Sequence, residues 1–219
     1  PAVDIRGGLC VNLVQGDYAQ ETVFSKDPVD QARLWWHALK KSLPDCEFVQ
    51  SIVHIVDLDG AKTGACCILP QLKQMADMGI CFEVGGGIRN LNTIETVLET
   101  GAERVILGTA AYRDPELLQT ACNRWPGKVV VGIDARNGMV ALSGWLEDTQ
   151  CDAVEFARTV EKAGASRIIY TDILSDGMLG GPNIETTGMI ARAVNIPVTI
   201  SGGVSHLDDI HNARTLSAS

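Results

Sequence analysis

The 219-residue sequence predicts an α/β fold in which short apolar strands alternate with amphipathic helices. The clearest strand covers residues 129–133, a run rich in β-branched residues that ends on Asp134 and is followed at once by a glycine-bearing loop. The start of the chain repeats this pattern, with Asp4 in the position of Asp134. We therefore expect each aspartate at the C-terminal tip of a buried parallel strand.

Two further repeats relate the halves of the chain. The glycine pair at 86–87 recurs at 202–203, each time between a strand and a helix, and the acidic loop after Asp57 recurs after Asp172. Internal duplication of strand–helix units favours a single-domain (β/α)8 TIM barrel over residues 1–219, built of two half-barrel repeats. An open dinucleotide-binding sheet is disfavoured because no G-x-G-x-x-G follows the first strand.

Turn and helix-cap residues indicate where the predicted helices and loops begin and end. Asp27-Pro28 opens the first helix, because proline suits the first helical position, and later helices are expected over 68–78, 91–100, 152–163 and 184–193. Between the first strand and the first helix we expect a short hairpin and then a long loop over the barrel mouth. Residues 58–64 are expected as a loop, and the polar connection 42–50 is longer than a barrel needs.

Composition excludes several classes of function. The net charge of −9 argues against general nucleic-acid binding, and no apolar run is long enough to span a bilayer. No signal peptide is visible, and the seven cysteines are odd in number without a C-x-x-C pair. These features predict a cytoplasmic protein with reduced thiols. The four histidines lack metal-ligand spacing, so we predict no metal.

The glycine pairs are candidate phosphate sites. Glycine lets the backbone approach a phosphate closely, and the helix that follows offers unpaired N–H groups. Either pair alone could be a plain tight turn, but two pairs at equivalent places favour two phosphate sites. We assign Gly86, Gly87 and Thr109 to one phosphate, and Gly202 and Gly203 to the other.

Asp4 and Asp134 are the candidate catalytic pair. One ionised carboxylate can take a proton and one protonated carboxyl can give one, although both could instead be structural caps. Thr171 and Asp176 are supporting polar candidates on the sixth barrel strand. Trp145 could stack on a planar ring at the mouth, and a packing role is about equally favoured.

Taken together, the motifs resemble one family, the phosphoribosylformimino-aminoimidazole carboxamide ribotide isomerases of histidine biosynthesis. The resemblance covers nearly the whole chain. The motifs that carry it include Val56-Asp57-Leu58-Asp59-Gly60-Ala61, Val84-Gly85-Gly86-Gly87-Ile88-Arg89, Gly108-Thr109-Ala110-Ala111, Gly132-Ile133-Asp134-Ala135, Gly144-Trp145-Leu146 and Ser201-Gly202-Gly203-Val204.

The resemblance implies an Amadori rearrangement of a bisphosphorylated aminoaldose to an aminoketose, without metal or cofactor. It implies that Asp4 removes the C2′ proton and that Asp134 is the acid that assists ring opening, with Asp176 sharing or holding that role. It also implies a monomer when full length, with no nucleic-acid or membrane partner.

Two alternatives remain open. The sister cyclase of the same pathway shares the half-barrel pattern, but Ala2 stands where that family usually has cysteine. The second alternative is a phosphate-binding barrel without turnover, and the presence of both aspartates argues against it.

Two residues depart from the pattern of related proteins. Asn12 replaces the arginine that the isomerase family usually carries, which predicts a lost substrate contact. Ser143 stands where bifunctional relatives carry arginine, which predicts a single substrate.

The repeat spacing also predicts an eighth barrel strand beyond Ser219. We therefore expect the 219-residue chain to lack the eighth strand–helix unit and a few residues before Pro1. An open seven-stranded barrel should be poorly soluble and have little or no activity, because closure removes the exposed sheet edges. A sharp cooperative melt with full turnover would refute this expectation.

Overall fold

The computed structural model describes residues 1–44 and 51–216. The chain divides into two compact units, Pro1–Asn12 with Thr22–Ile106 and Leu13–Glu21 with Leu107–Ser219. In each unit parallel strands alternate with helices, which confirms the predicted α/β class and its half-barrel repeats. The described part of the chain contains no helix that is long and apolar enough to cross a membrane.

The first unit is built on a parallel sheet with an antiparallel edge. Its strand order is β6-β5-β4-β1-β2, in which only β2 runs antiparallel to its neighbour. The strands are β1 (Ala2–Arg6), β2 (Leu9–Val14), β4 (Val53–Asp57), β5 (Phe82–Gly85) and β6 (Arg104–Leu107), and β3 (Asp17–Ser25) begins in the second unit and ends in the first. The helices are α1 (Pro28–Ser42), α2 (Leu58–Thr63), α3 (Leu69–Asp77) and α4 (Leu91–Glu99).

Side-chain caps explain where these helices begin. The Asp27 carboxylate accepts the amides of Val29 and Asp30, both at 3.0 Å, with Pro28 at the first position of α1. Asn90 caps α4 in the same way by accepting the Thr93 amide at 2.9 Å. The predicted helix starts at these two places are confirmed.

The second unit repeats the plan. Its parallel strands run in the order β11-β10-β7, and β7 continues into an antiparallel extension with β8 and β9. The strands are β7 (Val129–Arg136), β8 (Met139–Leu142), β9 (Glu147–Asp152), β10 (Arg167–Asp172) and β11 (Val198–Ser201). The helices are α5 (Thr109–Arg113), α6 (Pro115–Arg124), α7 (Ala153–Lys162), α8 (Ile184–Ala193) and α9 (Leu207–Leu216).

Two predicted loops are wrong. The long loop expected after the first hairpin is the nine-residue strand β3, whose side chains are mostly exposed and therefore lack an apolar alternation. The loop expected over 58–64 is helix α2, which Asp57 caps at its start and Gly64 ends in a left-handed conformation. Residues 45–50 of the connection predicted to be long lie outside the described residues.

The sequence predicts that the cysteine thiols are reduced. Six of the seven cysteines lie in the described residues, and among these no disulfide forms. Burial raises the pKa of the Cys66 and Cys122 thiols to about 11, so both stay protonated at neutral pH.

Candidate active site

Asp4 lies near the C-terminal end of β1, as the sequence predicts. It pairs in register with Val56 of β4 and Val11 of β2, and its side chain is partly buried. Burial raises the pKa of Asp4 to about 6, against a smaller lowering by the charge of His54. Among the described residues the Asp4 carboxylate has no hydrogen-bond donor, so it is available to take a proton from a ligand.

Gly86 and Gly87 pack tightly against the end of β4. Both have positive φ values, 103° and 73°. A Cβ at Gly86 would collide with the main-chain oxygen of Asp57, and one at Gly87 with that of Gly60. The glycine pair is therefore required by backbone packing in the first unit, whatever it binds.

Asp57 organises the loop on which that pair rests. Its buried carboxylate accepts the Gly60 amide at 2.7 Å and the Cys67 amide at 2.5 Å. Burial raises the pKa of Asp57, and the two amides act in the opposite direction. The carboxylate thus fixes the start of α2 and the segment before α3.

The second unit contains the same arrangement. The buried carboxylate of Asp172 accepts the Ser175 amide at 3.1 Å and the Asn183 side-chain amide at 2.7 Å. A Cβ at Gly202 would lie 2.8 Å from the main-chain oxygen of Asp172, and one at Gly203 would collide with the oxygen of Gly181. The duplication read from the sequence thus extends to the contacts around each glycine pair.

Asp134 lies within β7 at the position equivalent to Asp4. It pairs in register with Thr171 of β10, which in turn pairs with Ser201 of β11. Thr171 is buried and Asp134 is partly exposed. The loop after β10 brings the main chain of Asp176 to 3.5 Å from a Cβ built on Gly202. The three polar candidates Asp134, Thr171 and Asp176 therefore lie around the ends of β7 and β10, beside the end of β11.

Trp145 packs against the backbone at Gly16. Atoms of the indole ring lie 2.5 and 2.8 Å from where a Cβ on Gly16 would be. The Trp145 main-chain oxygen accepts Arg136 at 3.4 Å, and Arg136 is also paired with Asp148. These contacts fix the loop between β8 and β9 and give Trp145 a packing partner. The stacking of Trp145 on a ligand ring stays a prediction.

Thr109 begins α5 and holds the end of β8. Its hydroxyl oxygen accepts the Ser143 amide at 2.9 Å. Ser143 and Glu147 both contact the Arg113 guanidinium. The Thr109 hydroxyl keeps its own hydrogen for donation, so its predicted role toward a phosphate oxygen is compatible with this contact.

The aspartates Asp57 and Asp172 are the site residues that sequence reasoning missed. The sequence repeats an aspartate at these two strand ends without indicating what it does. The available signal was an acidic residue closing an apolar strand, followed by glycine or serine three positions later. That spacing is typical of a carboxylate that accepts loop amides.

The chain has parallel strands, short loops and helices in two repeated units, and aspartates and glycine pairs lie at the strand ends. These features define an α/β protein of the (β/α)-barrel class. The model of the family described as histidine biosynthesis protein matches residues 1–219. The chain belongs to that family.

Curated relatives cover the whole chain. It is 47% identical over 224 residues to a protein of Trichlorobacter lovleyi, of which it spans 86%. It is 46% identical over 220 residues to one from Cyanothece sp., of which it spans 82%, and 48% identical over 219 residues to one from Geotalea daltonii, of which it spans 85%. Each of the three is named 1-(5-phosphoribosyl)-5-((5-phosphoribosylamino)methylideneamino) imidazole-4-carboxamide isomerase.

Proposed function

We propose that this protein is an aldose–ketose isomerase. Its substrate is the compound in the relatives' names, and it converts the phosphoribosylamino group of that compound to the phosphoribulosyl form. The names of relatives at 46–48% identity over the full chain support this activity. The observation that carries the mechanism is Asp4, a strand-end carboxyl whose burial raises its pKa to about 6. Such a group is ionised at neutral pH and still basic enough to accept a proton.

Asp4 acts as the general base in this proposal. It takes the C2′ proton of the ring-opened substrate, and the electrons of the C–H bond form an enol-amine double bond between C1′ and C2′. Protonation at C1′ with loss of the enol O–H proton then leaves a ketone at C2′. The two protons taken, from C2′ and from the enol hydroxyl, equal the two given, to the ring oxygen and to C1′, so the rearrangement needs no oxidant or reductant.

Asp134 acts as the general acid that opens the ribose ring by protonating the ring oxygen, and Asp176 is the alternative donor. Thr171 supports the first assignment because it pairs in register with Asp134 and carries a hydroxyl that can orient its carboxyl. Two carboxyls in different environments can hold different protonation states at one pH.

The two terminal phosphates bind at the glycine pairs. Gly86 and Gly87, with Thr109, take one phosphate, and Gly202 and Gly203 take the other. The positive-φ glycines let the backbone adopt a turn whose main-chain amides can bind an anion. No cofactor is required, because the carboxyl groups transfer the protons and the rearrangement is neither a net oxidation nor a net reduction.

Replacing Thr109 by valine should weaken substrate binding about tenfold or more, because a hydrogen bond to a charged phosphate is worth about 1.5–3 kcal/mol. Thr109→Ser is the matched control, since it keeps the hydroxyl that the Ser143 amide also uses. The measurement is KM, together with the stabilisation of the melting transition by inorganic phosphate. Equal KM values in the valine and serine variants would remove Thr109 from the phosphate site.

We further infer a cytoplasmic protein that is a monomer at full length. The disulfide-free thiols among the described residues support the cytoplasmic assignment, because a reducing compartment keeps thiols unpaired. The activity itself is tested by incubating the purified protein with the bisphosphorylated aminoaldose and following absorbance when the product is consumed by the next enzyme. Turnover above the enzyme-free rate supports the proposal.

A further inference from the structure

The two glycine pairs rest on loops that differ in sequence and in length. Helix α2 begins directly after β4, whereas residues 173–183 separate β10 from helix α8. Each loop follows an aspartate that is the last residue of its strand, Asp57 in β4 and Asp172 in β10. These side chains are only 0% and 5% exposed. Neither carboxylate is therefore placed to contact a ligand directly, and any effect on a ligand acts through the loops.

In the first unit two contacts join the Asp57 carboxylate to the glycine pair. One carboxylate oxygen accepts the Gly60 amide at 2.7 Å, and the other accepts the Cys67 amide at 2.5 Å. The main-chain oxygen of Gly60 is the atom with which a Cβ on Gly87 would collide. The position of Gly87 is thus set by a residue that Asp57 holds in place.

In the second unit the Asp172 carboxylate reaches the other glycine pair through different residues. It accepts the Asn183 side-chain amide at 2.7 Å, and the amide and hydroxyl of Ser175 at 3.1 and 3.2 Å. Gly181, two residues before Asn183, donates its amide to the Gly203 main-chain oxygen at 3.0 Å. A Cβ on Gly203 would collide with the Gly181 oxygen and lie 3.0 Å from the Ser175 side chain. Asp172 therefore holds the segment against which Gly203 packs.

Helix capping does not account for both aspartates. Asp57 is the N-cap of α2, but the N-cap of α8 is Asn183 and not Asp172. The feature that the two carboxylates share is that each holds the loop whose backbone contacts the second glycine of a pair. The common element is therefore the glycine pair and not the helix that follows the strand.

We propose that Asp57 and Asp172 are positioning residues for phosphate binding, each holding the loop that fixes the main-chain amides of its own glycine pair. This inference rests on the proposed function for the two phosphate sites, and not for the catalytic roles of Asp4 and Asp134. The alignment of these amides matters because a hydrogen bond weakens steeply when its donor is turned away from the acceptor.

An asparagine at either position would disturb the loop while keeping the shape of the side chain. Each carboxylate accepts donors on both of its oxygens, from Gly60 and Cys67 at Asp57 and from Ser175 and Asn183 at Asp172. An asparagine side chain has one oxygen and one NH2 group, so one donor would face another donor and stay unpaired. We expect the loop to shift and the glycine amides to shift with it.

The test is a titration of ¹⁵N-glycine-labelled protein with inorganic phosphate, followed by the assigned amide signals of the two glycine pairs. Sodium chloride keeps the ionic strength constant. Asp57→Asn should raise the phosphate Kd at Gly86 and Gly87 about tenfold, as for the loss of a hydrogen bond to a charged group, and leave Gly202 and Gly203 within about twofold. Asp172→Asn should give the reverse. A general loss of stability would weaken both sites together, so the crossed pattern is specific to positioning.

Asp27→Asn is the matched control. Its carboxylate also accepts two main-chain amides, both at 3.0 Å, but these lie at the start of α1. We expect it to leave the phosphate Kd at both glycine pairs unchanged.

Asn183→Ser is a second variant that tests the contact from the other partner. Serine is a preferred N-cap and can still begin α8, but its shorter side chain loses the bond to Asp172. We expect weaker phosphate binding at Gly202 and Gly203 only. This variant decides the matter if either aspartate variant fails to melt cooperatively.

The outcomes separate this inference from the proposed function. Folded variants that bind phosphate at both pairs as the parent does, or that lose affinity equally at both, would overturn the positioning role and leave the isomerase assignment standing. A parent protein whose glycine amides do not respond to phosphate would contradict the phosphate sites, and this inference with them. The titration needs no turnover, so a crossed pattern in an inactive protein would support positioning while refuting the isomerase assignment.

Discussion

Replacing Asp4 by asparagine is expected to lower isomerase turnover by about 10²–10⁴-fold and, at the same time, to make the protein more stable at neutral pH. The loss of rate follows because the amide keeps the shape of the side chain but cannot accept the C2′ proton, and general bases contribute by about this factor. Substrate affinity should change little, since the phosphates bind elsewhere.

The gain in stability follows from the pKa of the same group. Burial raises the pKa of Asp4 from 3.8 to about 6 in the folded state. The folded protein therefore binds more protons than the unfolded chain between these values, and stability is lost as pH rises from about 4 through 6. Asparagine has no charge to bury, so the variant should unfold with a free energy on the order of 1–3 kcal/mol higher at pH 7.

Asp77→Asn is the control for the Asp4 substitution. Asp77 forms an exposed pair with Lys73 at 2.7 Å, and breaking such a pair should change stability by less than about 1 kcal/mol and leave turnover unchanged. Urea unfolding at pH 5 and pH 7 and the coupled rate assay provide the two readouts. An Asp4→Asn protein that is less stable at pH 7 and still active would show that Asp4 is a structural cap.

Replacing Gly87 by alanine is expected to lower the free energy of unfolding by about 2–5 kcal/mol. A left-handed conformation costs a non-glycine residue about 1–2 kcal/mol, and forcing a methyl group into a packed site costs about 1–3 kcal/mol more. Gly87 has a φ of 73°, and its Cβ would collide with the main-chain oxygen of Gly60, which cannot rotate away as a side chain could.

Gly8 isolates the conformational part of this effect, so the difference between the Gly87 and Gly8 variants gives the steric part. Its φ of 77° is nearly the same as that of Gly87, but no atom lies within 4 Å of where its Cβ would be. Gly8→Ala should therefore cost only the conformational part, about 1–2 kcal/mol. Urea unfolding of both variants measures the difference. Equal losses of stability would mean that the glycine loop moves aside and is not fixed on the end of β4.

The sequence was sufficient to predict the strands and helices that have apolar patterns or helix-capping residues. Apolar runs that end on an acidic residue predicted Asp4 and Asp134 at strand tips, and each lies in its predicted strand, before the last two residues. Strands β3 and β9 could not be found in this way. They are mostly exposed and polar, so their pairing with neighbouring strands, and not an apolar alternation, determines their conformation.

Contacts between residues far apart along the chain also could not be predicted from the sequence. One row of hydrogen bonds across β4, β5 and β6 joins His54 to Glu83 across 29 residues and Glu83 to Arg104 across 21 residues. Its existence depends on strand register, because a shift of one residue would turn each side chain to the other face of the sheet. The packing of each glycine pair on a strand-end carbonyl likewise needed coordinates, since the sequence alone suggests only a turn or a phosphate loop.

The most direct test of the central claim is to incubate the purified protein with the bisphosphorylated aminoaldose and follow the sugar carbons by ¹³C NMR. The isomerase assignment predicts that the C1′ signal of the aminoaldose disappears while a ketone signal grows at C2′, and that Asp4→Asn suppresses this conversion. A protein that melts cooperatively and leaves the substrate carbons unchanged would contradict the assignment.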